Sequence, residues 1–425
     1  MGVMSEFAAM VGWDWADREH EVRLREVGQE TMESATVRGS AEALHSWAAA
    51  MLERFGGRRI AVAIDAGRGA VISAFMGYPH IVLFPINPKA ASDLRQALHP
   101  SGKKDDPVDS ETLLEMIEKH GDRLRPLRPA DPATRELGML SEFRKKLDND
   151  RKREVNRLRD VLKSFYPQAV ELFPDGLSTP MVCDFLETWP TLQRLKRAQD
   201  RTLVSFFRDH RCRSEKRIDE RLVLIRASVP LTGDSALIGA GEASVLALVV
   251  LIRSFMAAIA QVERKIAAIY RAHVEYELID SFPGLGEALG PRVLAVLGSD
   301  RDRFATDEAL QRFSGVAPVT KQTGGRRGPI TIHRRIRRPK FIHQTMIEFA
   351  GCSIPHSAWA KAFYDMKTEQ YPEASHYTIL RALAYKWMRI LFRCWQARTP
   401  YDEARYQMEL ARRGSPVAKR LALAA

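Results

Sequence analysis

The spacing of apolar residues changes near Pro129, and this change constrains the fold more than any other feature of the chain. Before it, short apolar runs such as Ile60–Ile64 are bounded by turn residues and alternate with amphipathic stretches. After it, apolar residues recur every three or four positions over long segments, as in helices. The sequence therefore predicts an α/β domain over residues 1–128, followed by a mainly helical remainder.

The predicted α/β domain opens with a β-hairpin. The segment AMVGWDWADREHEVRL, residues 9–24, predicts a strand, a turn near Asp17 and a second strand. RRIAVAIDAG and HIVLFPINP predict two further strands. Helices are predicted over residues 41–55, after Pro88 and after Pro107. Strands that alternate with helices in this way indicate an α/β architecture.

Two acids stand at informative places in these strands. Asp14 lies in the first strand between Trp13 and Trp15, where a carboxylate is costly to bury without a cation or hydrogen-bond donors. Asp65 ends the run Ile60–Ile64, and open α/β sheets place ligands at the carboxyl ends of their strands. A solvated turn is the alternative for Asp65.

The segment GKKDDPVDSETLL, residues 102–114, contains further acids. Acidic residues and proline are common in the first turn of a helix, so Asp105, Asp106 and Asp109 fit a helix start. Asp106 and Asp109 also stand three residues apart, so on a helix they share a face and can point at one ion. The metal-binding interpretation requires partner ligands from elsewhere in the chain.

Residues 129–272 predict long helices, including a basic coiled-coil region. Between Leu140 and Phe165 apolar residues recur at helical spacing, while basic residues occupy the remaining surface. Lys145, Lys152 and Arg153 belong to this basic surface. Two interpretations stay open, a solvated coiled coil that only dimerises and a helix that also lies against phosphates.

Residues 273–425 begin with the glycine-rich segment LIDSFPGLGEALGPRVLAVLG. Closely spaced Gly284 and Gly286 before a helix leave backbone N–H groups free for a phosphate, as in helix-hairpin-helix modules. A dinucleotide-binding loop is disfavoured because no strand precedes the glycines.

A basic run with interspersed isoleucines follows. It suggests a folded element that contacts a nucleic-acid backbone, although such runs are often only tails. Its basic residues are Arg326, Arg327, Arg334, Arg335, Arg337, Arg338 and Lys340.

The overall charge agrees with a polyanionic partner. The 425 residues include 65 Lys plus Arg against 53 Asp plus Glu, a formal charge of +12, and the pI is about 9.6. These values favour nucleic acid as a ligand.

The four cysteines form no CxxC pair, which argues against a zinc knuckle or a disulfide framework. Arg253 interrupts the most apolar run, Val245–Ile252, so we expect no membrane span and an intracellular protein.

Several segments, taken in order, resemble one family. In the N-terminal part they are VGWDWADREHEV, AVAIDAGRG and KKDDPVD, and in the C-terminal part they are SFPGLGEALGPRVLA, RFSGVAPVTKQTGG, CSIPHSAWAKAFYDMK and RALAYKWMRILFRCW. Together they resemble the DEDD transposases of the bridge-RNA-guided insertion sequences, the family numbered one-ten. The resemblance implies an N-terminal RuvC-like domain of RNase H fold whose metal ligands are Asp14, Asp65, Asp106 and Asp109. It implies a transposase domain over residues 273–425.

Two positions depart from the family pattern. The second acid is usually glutamate, and Asp65 is one methylene shorter. The family's nucleophilic serine aligns with Thr323, whose extra methyl stiffens χ1 and crowds an in-line attack. Ser314 is the nearest alternative hydroxyl. Thr323 is also open to a role in shaping the turn before Gly324.

The resemblance implies Mg²⁺-dependent strand transfer through a covalent protein–DNA intermediate formed by Thr323. The implied partners are donor DNA, target DNA, a noncoding bridge RNA and further copies of the chain, as a dimer that becomes a tetramer on DNA. A bacterial cytoplasmic protein, associated with the nucleoid when it acts, is expected. Two alternatives remain: a RuvC-type nuclease that uses water as nucleophile, and an inactive nucleic-acid-binding derivative, which the departures at Asp65 and Thr323 would explain.

Overall fold

The computed structural model describes residues 6–65, 69–98, 106–322, 330–333, 335–336 and 338–424. The chain divides into two compact units, residues 1–129 and residues 130–425. The first unit contains a five-stranded mixed sheet with helices, and the second is mainly helical. The predicted order of an α/β part followed by helices is confirmed. The finer division of the second part at residue 272 stays a prediction.

The sheet of the first unit has the strand order β3-β2-β1-β4-β5. β1, β2 and β3 are antiparallel, whereas β1, β4 and β5 run parallel. The strands are β1 (Ala9–Asp14), β2 (Glu19–Glu26), β3 (Met32–Arg38), β4 (Ile60–Ile64) and β5 (Ile81–Pro85). The helices of this unit are α1 (Ala41–Arg54), α2 (Ala70–Phe75), α3 (Pro88–Leu98) and α4 (Asp106–His120).

Side-chain alternation along the strands gives this sheet two buried faces. Val11 and Trp13 of β1 belong to one core, which also includes residues of α1 and α2. Ala61 and Ala63 of β4 belong to a second core together with Leu114 of α4. Helices therefore cover both faces, which is why every residue of β4 is buried.

The predicted hairpin, the strands β4 and β5 and the helices α1, α3 and α4 are confirmed. The sequence analysis missed β3 and α2. β3 is largely exposed and carries polar residues without apolar alternation, and α2 is only 6 residues long.

Long helices dominate the second unit. In chain order they are α5 (Pro132–Phe165), α6 (Gln168–Leu172), α7 (Pro180–Thr188), α8 (Leu192–Arg197), α9 (Asp200–Asp209), α10 (Glu215–Ala227), α11 (Ser235–Ala272), α12 (Tyr276–Asp280), α13 (Gly286–Leu297), α14 (Asp307–Phe313), α15 (Lys340–Ser353), α16 (Ala358–Gln370), α17 (His376–Ala397), α18 (Glu403–Arg412) and α19 (Pro416–Ala424). β6 (Val319–Gln322) and β7 (Ile330–His333) form an antiparallel pair between α14 and α15.

The basic helix α5 packs antiparallel to α11 within the same chain. Near the start of α5, Glu136 pairs with Lys265 at 2.6 Å. Near its end, the Phe165 ring lies against Gly241, where an added Cβ would come within 2.5 Å of the ring. The apolar seam expected for a coiled coil is thus used inside one chain.

The C-terminal helices surround a core rich in tryptophan. Trp359, Trp387 and Trp395 are fully buried. Each indole N–H has an acceptor: Tyr401 Oη at 2.7 Å, Ser353 Oγ at 2.8 Å and the Gly298 carbonyl at 2.9 Å, respectively. Satisfied polar groups fix these large side chains in single orientations and make this core a rigid support.

In the described part of the chain, α11 alone is long and apolar enough to cross a membrane by length and composition. It carries the apolar run Val245–Ile252. Val245, Val249 and Ile252 are buried in the core around α5 and α7, and Arg253 pairs with Asp184 and Glu187. One such helix is weak support for a membrane span, because core helices of soluble proteins meet the same criterion.

Candidate functional site

Asp14 and Asp65 stand at equivalent positions, at the carboxyl ends of two adjacent parallel strands. The register pairs Trp13 of β1 with Ile64 of β4, so the next residue on each strand is an aspartate. Neighbouring strands lie roughly 4.8 Å apart. The two acids predicted from separate segments therefore stand at the same carboxyl edge of the sheet, and both are half-buried.

Both acids face the side of the sheet that α4 covers. Asp14 shares its face with Gly12, two residues earlier, and Asp65 shares its face with Ala63. Ala63 packs in the core that contains Leu113 and Leu114 of α4. The helix α4 is thus placed to bring a third acidic side chain to this pair.

Gly12 allows α4 to approach the sheet closely. A Cβ at Gly12 would lie 2.5 Å from the Leu114 backbone nitrogen and would collide with the Ser110 carbonyl oxygen. Only a residue without a side chain leaves room for a helix backbone at that distance. This contact brings Asp109, next to Ser110, to the acidic edge of the sheet.

The electrostatics of Asp65 support this convergence. Burial raises the pKa of the Asp65 carboxyl, and the nearby negative charge of Asp109 raises it further. Asp65 Oδ1 is buried and has no hydrogen-bond partner among the described residues. A buried carboxylate oxygen without a donor, beside a second carboxylate, is a site that favours a cation.

Arg95 of α3 supplies a positive charge to the cluster. Its guanidinium pairs with Asp109 Oδ1, and both side chains are mostly buried, with exposed fractions of 18% and 22%. In the described structure this guanidinium balances part of the negative charge at the acidic edge. The sequence analysis did not identify Arg95.

Asp106 is the first residue of α4, one turn before Asp109. Its side chain and all of Asp105 lie outside the described residues. Among the side chains that are described, no three acidic, histidine or cysteine residues form a metal-binding group. The carboxylates of Asp14, Asp65 and Asp109 are hard oxygen donors of the kind that Mg²⁺ prefers, and their role as metal ligands stays a prediction.

The predicted nucleophile Thr323 directly follows β6 and lies outside the described residues, as do Arg326, Arg327, Arg334 and Arg337. Ser314, the alternative hydroxyl, is fully buried and donates to the Gln311 carbonyl at 3.1 Å. A hydroxyl in that position has no access to a DNA phosphate.

Part of the basic run is folded, although Ile336, one of its three isoleucines, is 81% exposed. Ile330 and Ile332 belong to β7. Arg338 donates to the Arg335 carbonyl and lies against Gly315, whereas Lys340 is exposed. The side chain of Arg338 is therefore partly committed to the fold, whereas Arg335 takes part in this contact only through its backbone carbonyl, and Lys340 remains accessible.

The two glycines predicted to bind phosphate have different surroundings. Gly284 has a φ of 83°, and an added Cβ there would lie 2.5 Å from the Cys352 carbonyl oxygen. Gly286 is exposed, and no atom lies within 4 Å of its would-be Cβ. Gly284 has a packing reason to be glycine, and phosphate binding stays a prediction that Gly286 suits better.

The predicted basic residues of α5 differ in whether an acidic side chain pairs with them. Lys152 pairs with Asp148 at 2.9 Å, and Arg153 pairs with Asp150. Lys145 forms no ion pair in the described part of the chain. Of the three, Lys145 retains the most uncompensated charge for a phosphate.

Comparisons with known proteins cover both predicted modules. A transposase model for DEDD enzymes of the IS110 type matches residues 11–167. A second model, described as Transposase IS116/IS110/IS902 family, matches residues 276–365. The chain belongs to the IS110 family of DEDD transposases.

Relatives of this IS110-family chain come from insertion elements. The chain is 28% identical over 402 residues to a Streptomyces coelicolor protein named as a candidate transposase of the IS117 mini-circle, which covers 93% of this chain and 95% of the relative. It is 27% identical over 317 residues to an uncharacterized protein of insertion element IS110 from the same organism. That match covers 72% of this chain and 74% of the relative. The first family match contains all four predicted acids, and the second contains Thr323.

Proposed function

We propose that this protein is an insertion-sequence transposase that exchanges DNA strands in a Mg²⁺-dependent reaction guided by a noncoding bridge RNA. The observation that carries the proposal is the placement of Asp14 and Asp65 at one sheet edge, with Asp109 brought to them by the close packing of α4 at Gly12. The mixed five-stranded sheet with its acids at strand ends supports a RuvC-like RNase H fold.

Asp14, Asp65, Asp106 and Asp109 would hold the metal. Bound Mg²⁺ supplies charge neutralisation at the scissile phosphate and stabilises the developing negative charge in the transition state. The buried, unpartnered Oδ1 of Asp65 and the raised pKa of this carboxyl beside Asp109 fit a position that a cation would stabilise. Asp65 reaches one methylene less far than glutamate, and the close approach of α4 compensates by bringing its acids toward the sheet.

Thr323 provides the nucleophile. Its Oγ1 attacks a DNA phosphorus, the bond from phosphorus to the 3′ oxygen breaks, and the departing 3′-hydroxyl takes up the proton that the threonine loses. The covalent phosphothreonine intermediate is then attacked by another 3′-hydroxyl, which restores the threonine and joins the new strands. The methyl group of threonine slows this step relative to serine.

The acids and Thr323 belong to different units of the chain, and the complete site combines them across protomers of a dimer that assembles into a tetramer on donor and target DNA. The bridge RNA selects both DNAs by base pairing, while basic residues such as Lys145 and Lys340 contact backbones. The reaction takes place on the bacterial nucleoid, in the cytoplasm.

The test is a search for the covalent intermediate. Purified protein is incubated with the noncoding RNA of its element, labelled donor and target DNA and Mg²⁺, and is then run on a denaturing protein gel. We expect a labelled protein band that requires Mg²⁺, disappears in Thr323→Ala and Asp65→Asn, and persists in Thr323→Ser. Asp122→Asn, an exposed acid away from the sheet edge, is the matched control and should behave as wild type.

The same experiment separates the alternatives. Cut DNA ends without a protein adduct, in wild type and Thr323→Ala alike, would replace the proposal with a hydrolytic nuclease of RuvC type. Binding of RNA and DNA without adduct or cleavage at any Mg²⁺ concentration would identify an inactive derivative.

A further inference from the structure

The C-terminal helices enclose a cleft that neither the acidic site nor the basic run includes. It lies between α17, α18 and the turn that joins them, and its volume is about 1220 Å³. This exceeds the roughly 300–1,000 Å³ of a typical small-molecule pocket. The cleft therefore has room for more than one nucleotide.

Cations outnumber acids on the walls of this cleft. Five basic residues, Lys386, Arg389, Arg393, Arg405 and Arg413, line it together with three acids, Asp402, Glu403 and Glu409. The acids are already engaged, because Asp402 caps α18 at the Arg405 backbone N–H, Glu403 accepts from Ser357 and Tyr401, and Glu409 pairs with Arg412 and Arg413. The walls thus carry an excess of positive charge.

Two of these arginines have guanidinium groups without an ion-pair or hydrogen-bond partner among the described residues. Arg389 pairs with Asp307 at 2.8 Å, and Arg413 pairs with Glu409 at 3.3 Å. The guanidiniums of Arg393 and Arg405 form no ion pair or hydrogen bond in the part of the chain that the structure describes, and both side chains are exposed. They are the groups available to bind phosphates.

The floor of the cleft is apolar and aromatic. Ile390 and Leu410 are buried beneath it, and the Tyr406 ring packs on Trp359 at a centroid distance of 5.0 Å. Burial raises the pKa of the Tyr406 hydroxyl, and Arg413, Arg393 and Arg389 lie close enough to offset part of that rise. Burial also raises the pKa of the Cys394 thiol to about 11, so this cysteine is not a thiolate that could bind metal.

We propose that this cleft binds an unpaired segment of RNA, with its phosphates on Arg393 and Arg405 and its bases against the Tyr406 floor. The inference rests on the proposed function, which supplies a structured RNA partner. An apolar floor under a rim of guanidiniums suits a strand whose bases are exposed, since base–aromatic contact and phosphate pairing then act together. Duplex DNA keeps its bases stacked inside and cannot place them in a concave site.

The test compares two charge-matched double variants of the full chain. Arg393→Gln with Arg405→Gln removes the free cations of the cleft. Arg201→Gln with Arg213→Gln removes two exposed arginines near α9 that also lack described partners. Binding of a fluorescein-labelled oligouridylate, the corresponding oligodeoxythymidylate and a short DNA duplex is measured by fluorescence anisotropy over a range of salt concentrations, after thermal melting confirms folding.

We expect the cleft variant to bind oligouridylate about tenfold more weakly, with a log–log salt slope smaller by about 1.4, corresponding to two lost phosphate contacts. The control variant should keep the wild-type slope. Equal losses in both variants, no loss in either, or a loss confined to oligodeoxythymidylate or duplex would overturn the inference. A wild-type protein that binds none of the three probes would instead contradict the proposed function itself.

Discussion

Replacing Gly12 with alanine should push α4 away from the acidic edge of the sheet. The added Cβ would collide with the Ser110 carbonyl oxygen and lie 2.5 Å from the Leu114 backbone nitrogen, whereas ordinary contacts begin at 3.4 Å, so the helix must retreat by more than about 0.9 Å. The two nearest atoms belong to the backbone of α4, so no rotamer change relieves the contact. Overpacking of this kind costs about 1–3 kcal/mol.

The displacement should affect catalysis more than stability. Asp109 would move with α4, and a misplacement of about 1 Å at a reacting centre can cost roughly 10²-fold in rate. We expect Gly12→Ala to fold with a lowered melting temperature, to lose most of the additional thermal stabilisation that Mg²⁺ gives the wild type, and to form the covalent DNA adduct at about one hundredth of the wild-type rate.

Gly77→Ala is the matched control in the same unit. No atom lies within 4 Å of its would-be Cβ, and Gly77 is not among the residues with positive φ. Its melting temperature and adduct yield should equal those of the wild type. Wild-type Mg²⁺ stabilisation and adduct formation in Gly12→Ala would refute the claim that close packing of α4 builds the site.

Three further changes test separate contacts. Arg95→Ala removes the counter-charge of Asp109 and should lower the metal-free unfolding free energy by about 1–3 kcal/mol, and added Mg²⁺ should reduce this difference; equal losses with and without Mg²⁺ would contradict it. Burial, aided by Arg338, lowers the pKa of His343 to about 4. The unfolded chain therefore binds an extra proton below about pH 6.5, and the free energy of unfolding should fall by up to about 3 kcal/mol between pH 6.5 and 4. Denaturant titrations should show a flatter dependence of stability on pH for His343→Gln, and the same dependence in both proteins would refute this role of His343. Asp131 accepts from the Thr134 N–H at 2.9 Å at the start of α5, and its other oxygen accepts from the Thr134 and Ser299 hydroxyls. Asp131→Ala should therefore cost about 1–2 kcal/mol by thermal melting, and Asp131→Asn less, because the amide oxygen keeps the cap while the two hydroxyl bonds are lost; no loss of stability in Asp131→Ala would refute the capping role.

The local pattern of the sequence was sufficient for most elements of the first unit. Period-two alternation predicted β1 and β2, and the continuous apolar run Ile60–Ile64 predicted β4. The sequence analysis missed β3 because an exposed edge strand needs no apolar alternation. Its hydrogen bonds come from pairing with β2, which its composition does not indicate.

The acidic site could be predicted in part. Asp14, Asp65, Asp106 and Asp109 were identified from their positions and from the family resemblance, and glycine within a strand was an available signal for the close packing at Gly12. No sequence signal indicated Arg95, because its partner Asp109 lies on another helix and the two meet only through the packing of α3 on α4.

The sequence by itself determined most of the strands and helices, the excess of positive charge and the family of the chain, because periodicity, composition and motifs are properties of neighbouring residues. Only the tertiary structure decided that Asp14 and Asp65 share one sheet edge, that α11 rather than a second chain covers the seam of α5, and that α17 and α18 leave a cationic cleft between them. These features depend on strand register and on which surfaces bury one another. Most of these contacts join residues that are far apart in the chain, and the local sequence pattern does not determine them.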